Sequence, residues 1–420
     1  MHFSNWTIIF TWVISLVSIL LMLLRPRGIA EYIWICLGAL TLVLAGALPL
    51  SDAAHAIYEG LDVYLFLAGM MILAELARHE GVFDWVADVA VHHSNGSPAR
   101  LFLLIYLAGT VVTIFLSNDA TAVVLTPAVL AAVRRARVEP KPYLLACAMI
   151  ANAASFVLPI ANPANLVVFG KTLPPLAPWL RLFLLPSVFS IASTYFCLRL
   201  LSRHVLQGKM NSKADGIQLS PQGRLALFGI CIAAATLVVT SGLGFPLGLP
   251  TCITGVFALL LISFRNGGAW KAVLRGVSWS VVPLVAGLFM IVAALNRAGM
   301  LRLAQAGLAW LARVPDGLDK LVAAGVVAGL SNIMNNLPVG LASGSALQPM
   351  HSAGALTHAV LIGVDLGPNL SVTGSLATIL WLIALRRDDA EITAWEFLKT
   401  GMIVMPVSVA LSVLSLHLVQ

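Results

Sequence analysis

The chain has 420 residues, 60% hydrophobic and 10% charged, with a formal net charge of +7. A soluble domain carries roughly 25% charged residues, so the composition excludes a soluble globular protein and leaves a polytopic membrane protein. The apolar runs are long and unbroken by charge, which argues for an all-α chain rather than an outer-membrane barrel. The positive balance then reads as Lys and Arg in loops, not as a nucleic-acid surface.

In chain order, apolar spans are predicted at 6–24, 30–49, 62–78, 99–117 with a return limb at 120–133, 141–170, 178–201, 223–242, 250–265, 277–296, 318–331 with a return limb at 334–349, 354–385 and 395–418. The N-terminus lacks the basic region and small-residue cleavage site of a signal peptide, so Trp6 to Leu24 reads as a retained first helix. The pairs 99–133 and 318–349 read as re-entrant hairpins. The spans 141–170 and 354–385 are too long for one simple crossing and carry Pro, Gly and Asn in the middle, which predicts broken helices. Cys36, Cys147, Cys197, Cys231 and Cys252 show no ligand spacing and read as small core residues.

Positive charge sets the expected orientation. With the N-terminus outside and both hairpins re-entrant, 19 of the 25 Lys and Arg fall on the cytoplasmic side and 6 outside. The result is ten crossings with both termini outside, in a multi-pass protein of the inner or plasma membrane. A repeat runs through the chain. Gly69-Met70-Met71-Ile72-Leu73 is echoed by Gly287-Leu288-Phe289-Met290-Ile291, 218 residues later. Five crossings per half make the repeat inverted. The expected division is 1–206, a polar cytoplasmic linker at 207–222, and 223–420.

The polar breaks carry the functional signal. Ser117-Asn118-Asp119-Ala120-Thr121 and Ser331-Asn332-Ile333-Met334-Asn335-Asn336 each interrupt long apolar sequence, where unpaired amides and carboxylates are costly. Each is followed by a second break, Asn162-Pro163-Ala164-Asn165 in the first half and Gly367-Pro368-Asn369 through Thr373-Gly374-Ser375 in the second. Paired interruptions at matching positions are a pointer to a transporter's substrate site. The candidate substrate-binding residues are Asn118, Thr121, Asn162, Asn165, Asn332, Asn335, Asn336, Asn369, Thr373 and Ser375. Such a set suits a small neutral polyhydroxyl solute, or Na⁺ if carbonyls help; alternatively the amides glue helices together. Asp119 and Asp365 are the candidate proton carriers, against the alternatives that Asp119 caps the return limb and Asp365 satisfies free amides at a helix break. Glu75, beside Arg78, reads as half of a structural ion pair. Gly170-Lys171-Thr172 resembles the end of a phosphate-binding loop, but Asn165 stands where its first glycine is required. No nucleotide signature, nucleophile elbow or zinc motif is present, so neither enzyme chemistry, a catalytic residue, a metal nor a cofactor is expected.

Ser117-Asn118-Asp119-Ala120 followed by Leu125-Thr126-Pro127, Ser331-Asn332-Ile333-Met334-Asn335-Asn336-Leu337-Pro338, and Gly363-Val364-Asp365-Leu366-Gly367-Pro368-Asn369 through Gly374-Ser375-Leu376-Ala377-Thr378 resemble segments of the arsenite/antimonite efflux permease (ArsB) family. The resemblance spans nearly the whole chain. It implies the ion transporter superfamily fold, elevator-type movement, and export of arsenite or antimonite as neutral trivalent hydroxides in exchange for protons. Some members of that family pair with a cytosolic arsenical-pump ATPase, so such a partner is implied as well. One departure is Asn152, where several relatives carry Asp. A Na⁺/H⁺ antiporter, a carboxylate carrier, and the passive membrane channel of an ATP-driven pump are the competing readings.

Overall fold

The computed structural model describes residues 5–210, 218–265, 268–311, 313–315, 317–347, 354–387, 390 and 392–419. Its regular structure is helical. The first ten helices are α1 (Asn5–Leu24), α2 (Glu31–Leu44), α3 (Leu50–Glu59), α4 (Leu61–His79), α5 (Val82–His93), α6 (Pro98–Phe115), α7 (Thr126–Arg135), α8 (Lys141–Ala153), α9 (Pro163–Phe169) and α10 (Leu176–Leu201). Ten more follow: α11 (Pro221–Gly242), α12 (Gly248–Arg265), α13 (Ala269–Gly276), α14 (Val281–Arg297), α15 (Met300–Leu311), α16 (Leu318–Met334), α17 (Asn336–Leu347), α18 (Gly354–Leu366), α19 (Leu376–Arg387) and α20 (Ala394–Ser415).

Among the described residues, six helical stretches are long and apolar enough to cross a membrane, or seven if the α3–α4 pair, bent by 45°, forms one span. The apolar side chains point outward as well as inward. Trp6, Ile9, Val13, Leu16 and Leu20 of α1 are exposed, while Thr11, Ser15 and Ser18 of the same helix are buried. Lipid is as apolar as leucine, so the helix hides its small polar residues against neighbours and leaves its large apolar ones outside.

Glycines set the closest crossings. At Gly69 of α4 a Cβ would lie 2.3 Å from the Thr251 carbonyl of α12, and at Gly287 of α14 it would lie 2.7 Å from the Ile35 side chain of α2. These are the two glycines of the sequence echo. They serve reciprocal contacts, because α4 packs along α12 and α14 along α2. The same exchange recurs deeper in the molecule: α17 packs on α9, and the return limb after α6 packs on α19. Helices α10 and α20 pack against each other, joined by Ser193 and Thr194 hydroxyls that meet the Ser408 hydroxyl at 3.0 and 2.9 Å.

Several expectations shift. The amphipathic helices α3, α5, α13 and α15 stand between the apolar spans and were not anticipated by hydropathy. The second tip sits later than predicted: α16 runs through Ser331 and Asn332, and the chain turns at Asn335. Of the linker at 207–222, residues 211–217 lie outside the described residues, as do 348–349 of the second hairpin.

Candidate transport site

The first hairpin tip turns at Leu116 and Ser117. The Ser117 hydroxyl accepts a hydrogen bond from Ala120 N (3.1 Å), and the Asn118 side-chain carbonyl accepts from Asp119 N (3.0 Å). Ser117 is thus the residue that caps the return limb. The cap expected of Asp119 is not formed. Its carboxyl is half-buried and makes no hydrogen bond among the described residues. The return limb begins as a π-helical stretch, Ala120–Leu125, a widened turn that often marks a functional position. Thr121 ties it back to the outgoing helix, donating to the Gly109 carbonyl (3.3 Å) and accepting from the Thr113 hydroxyl (2.8 Å).

The second tip is built differently. Asn335 holds φ 75° and ψ 149°, a conformation that side chains disfavour, and its Oδ1 accepts from Leu337 N (3.3 Å). With Met22, Glu31, Leu284, Leu288, Leu337 and Leu376 it lines a cavity of about 10 Å³, room for one water. Asn336 is buried and makes no side-chain hydrogen bond among the described residues. Asn332, three residues before the turn, uses its whole amide. Its Nδ2 donates to the Ala328 and Gly367 carbonyls (2.7 and 2.9 Å), and its Oδ1 accepts from Ser371 N and Oγ (3.0 and 2.7 Å). The Thr373 hydroxyl donates to the Asn332 carbonyl (2.8 Å). The tip is therefore stapled to the break between α18 and α19.

The break between α8 and α9 must satisfy every carbonyl it frees, since none can remain unpaired in an apolar surround. Ser155 Oγ donates to Asn152 O (2.7 Å), Ser190 Oγ to Ala153 O (2.7 Å) and Trp179 Nε1 to Phe156 O (3.1 Å). Asn165 Nδ2 serves Ser155 O, Leu158 O and Pro159 O at 2.9, 3.2 and 3.3 Å. Asn162 caps α9, its Oδ1 accepting from Ala164 N (3.0 Å). In the other break the Ser375 hydroxyl accepts from Thr378 N (3.2 Å), and Thr378 Oγ1 donates to Val372 O (2.8 Å).

The two breaks meet. Asn162 Nδ2 donates to Asp365 Oδ1 (2.9 Å) and Asn152 Nδ2 to Asn369 Oδ1 (2.9 Å), while Asn369 Nδ2 donates to the Met149 carbonyl (3.1 Å). Asn152, Asn165, Asp365 and Asn369 are each 0% exposed. Of the twelve residues predicted for the site, Asn162, Asp365 and Asn369 are thus joined across the two breaks. Asn332 and Thr373 form a second group. Asn118, Thr121, Asn165, Asn335 and Ser375 hydrogen-bond within their own segments. Sequence reasoning singled out Asn152 only as a departure and passed over Ser155 and Ser371, whose single hydroxyls carry no signal in a sequence rich in buried serines. Glu75 is the expected ion pair: Arg78 Nε donates to its Oε2 (2.8 Å), and a guanidinium nitrogen reaches Oε1. Among the described residues no group of three or more His, Cys, Asp or Glu is placed to hold a metal ion.

Two interrupted helices with polar breaks face to face, inside a bundle of apolar helices, define a membrane transporter. A solved structure shares the architecture: the transporter YdaH of Alcanivorax borkumensis superposes with a TM-score of 0.56 at 18% identity, over 92% of this chain and 97% of that one. The chain belongs to the citrate transporter (CitMHS) family, whose model matches residues 7–364. It is also similar to the arsenical pump membrane proteins of Escherichia coli strain K12, 28% identical over 436 aligned residues, and of Yersinia enterocolitica, 28% over 431, each covering 96% of this chain and 98% of the relative.

Proposed function

We propose that the protein is a secondary active exporter of arsenite and antimonite as neutral trivalent hydroxides, driven by exchange for protons. The observation that carries this reading is the chemistry of the breaks: neutral amides and hydroxyls dominate, and no Lys or Arg lies within 116–121, 154–165, 331–336 or 367–375. A neutral hydroxide needs hydrogen-bond partners and no counter-charge. The similarity to arsenical pump membrane proteins over nearly the full chain supports the same substrate class.

The substrate-binding set is that of the four breaks, with Asn118, Thr121, Asn335 and Asn336 supplied by the tips and Asn162, Asn369, Thr373 and Ser375 by the broken helices. Asp119 and Asp365 carry the coupling. Exchange requires that protonation and solute binding disfavour one another, a coupling free energy shared by both ligands. The reciprocal packing of α4 on α12 and of α14 on α2 supports two inverted repeats, with the hairpins and broken helices moving as the carrier against the remaining helices.

The family description favours a second reading, a carboxylate carrier. Against it, a dianion would meet the Asp365 carboxylate and no cation at the breaks, an arrangement that opposes binding. Arsenite and citrate uptake into everted vesicles, measured side by side under an imposed pH gradient, separates the two. Arsenite accumulation without citrate accumulation supports export of the neutral hydroxide; the reverse result establishes the carboxylate carrier. Growth protection against arsenite in cells lacking any arsenical-pump ATPase distinguishes a self-sufficient exporter from a channel subunit.

A further inference from the structure

One short amphipathic helix recurs in the fold with its charge reversed. Helix α3 stands directly before α4 and packs against α14, while α13 stands before α14 and packs against α4. Asp52 of α3 pairs with Arg297, the last residue of α14. Gly276, the last residue of α13, backs onto the Glu75 carboxyl one turn before the end of α4, with no room for a Cβ. The two helices therefore stand at opposite ends of the α4–α14 pair, and so at opposite faces of the membrane. The charged residues of α3 are Asp52 and Glu59, with no Lys or Arg. Those of α13 are Lys271 and Arg275, with no Asp or Glu. The fold asks each helix for a buried apolar stripe and leaves the sign of its charge to whatever the other side meets.

Helix α13 lies at the membrane surface. Gly248 N donates to Asp62 Oδ1 (2.8 Å) and Gly255 packs on Gly69, so α12 and α4 run side by side in one direction at a constant offset. That register sets Arg265, the end of α12, level with His79, the end of α4. Helix α13 begins four residues later and ends beside Glu75, so its length of roughly 12 Å lies across the helix ends rather than along them. Ala269, Val273 and Val277 are buried on one side, and Trp270, Lys271, Arg275 and Trp279 are exposed on the other. The Lys271 ammonium sits 5.4 Å from the centre of the Trp270 ring, and the Trp279 indole N–H donates to the Leu274 carbonyl (2.7 Å). Neither Lys271 nor Arg275 has an ion-pair partner among the described residues, and the Glu75 carboxyl beneath them is taken by Arg78. Phe264, just before α13, is 88% exposed, an exposure that suits lipid and not water.

We propose that this face of α13 binds the anionic phospholipid headgroups of the leaflet on its side, with Lys271 and Arg275 on the phosphates and Trp270 and Trp279 at the headgroup boundary. Tryptophans flanking a basic helix that lies in the membrane plane fit a bilayer interface, whereas a face that receives an acidic protein must stand clear of the headgroups. The acidic copy, α3, offers no such surface to the opposite leaflet. The inference needs only a membrane protein and holds whatever the cargo.

The test reconstitutes the full-length chain in vesicles of mixed phosphatidylcholine and phosphatidylglycerol that carry a trace of photoactivatable phosphatidylglycerol or photoactivatable phosphatidylcholine, with labelled peptides mapped by mass spectrometry. Residues 268–280 should be labelled more strongly by the anionic probe than by the zwitterionic one. Lys271→Gln and Arg275→Gln should each lower the anionic labelling about fivefold at low salt, the attraction of one cation to an anionic surface. High salt should act as the substitutions do. Lys271→Arg should keep the labelling, and Glu59→Gln on α3 should leave it unchanged. Equal labelling by the two probes overturns the proposal. So does anionic labelling that the folded double variant, Lys271→Gln with Arg275→Gln, retains in full. Absence of labelling by either lipid also overturns it, because α13 would then stand clear of the bilayer, as a docking face for an acidic protein would.

Discussion

At the first hairpin tip, Ser117 caps the return limb and the Asp119 carboxyl is left half-buried without a hydrogen bond among the described residues. At the second, Asn332 spends its amide on Ala328, Gly367 and Ser371, and the turn is completed by a strained Asn335. Similar Ser-Asn sequence thus yields one tip with an unoccupied ionisable group and one tip fastened to the break behind it. A fastened tip and its break move together. A group free of internal partners can exchange a proton with water without breaking structure. The acids divide accordingly: Asp119 is half-buried at a tip, and Asp365 is sealed at the contact between breaks, 0% exposed.

The largest expected effect falls on the free acid. Asp119→Asn should reduce gradient-driven arsenite accumulation by about 100-fold, toward the upper range of coupling between two sites, while arsenite binding at equilibrium persists. Equal loss of binding and accumulation would mean that Asp119 serves the solute and not the coupling. Next is the staple. Asn332→Ala leaves Gly367 O and Ser371 N without their partner and should cost about 3 kcal/mol, read as a lowered unfolding midpoint in detergent. Asn118→Ala at the other tip removes one local bond and should cost about 1 kcal/mol in the same measurement. Similar costs at both tips would erase the distinction between them. Asn335→Gly should stabilise by about 1 kcal/mol, because glycine adopts positive φ without strain. The smallest effect is at the surface, where Lys141 at the start of α8 pairs with Glu396 at the start of α20. Lys141→Gln should cost no more than about 0.5 kcal/mol, and less at high salt.

Much of this organisation was legible in the sequence, for a physical reason: in apolar surroundings a polar or helix-breaking residue is expensive, so each one is visible. Asn162, Pro163, Gly367, Pro368 and Asn369 marked where α8–α9 and α18–α19 are interrupted. What stayed hidden depends on tertiary partners. The helix continues through Asn332 because its amide finds Gly367, 35 residues later. The meeting of Asn152 with Asn369 spans 217 residues, and no spacing rule announces it. Helices α3, α5 and α13 were missed because half-polar segments fall below a hydropathy threshold while still burying one face; α15, also missed, buries none of its described residues.

The central claim is that proton exchange through the two acids drives export of a neutral hydroxide. The most direct test is arsenite uptake into everted vesicles with an acid interior, comparing wild type with Asp119→Asn, Asp365→Asn and the double variant. The account predicts accumulation by wild type that collapses when the gradient is dissipated, and none by the double variant. Gradient-driven accumulation that survives both substitutions together would contradict it.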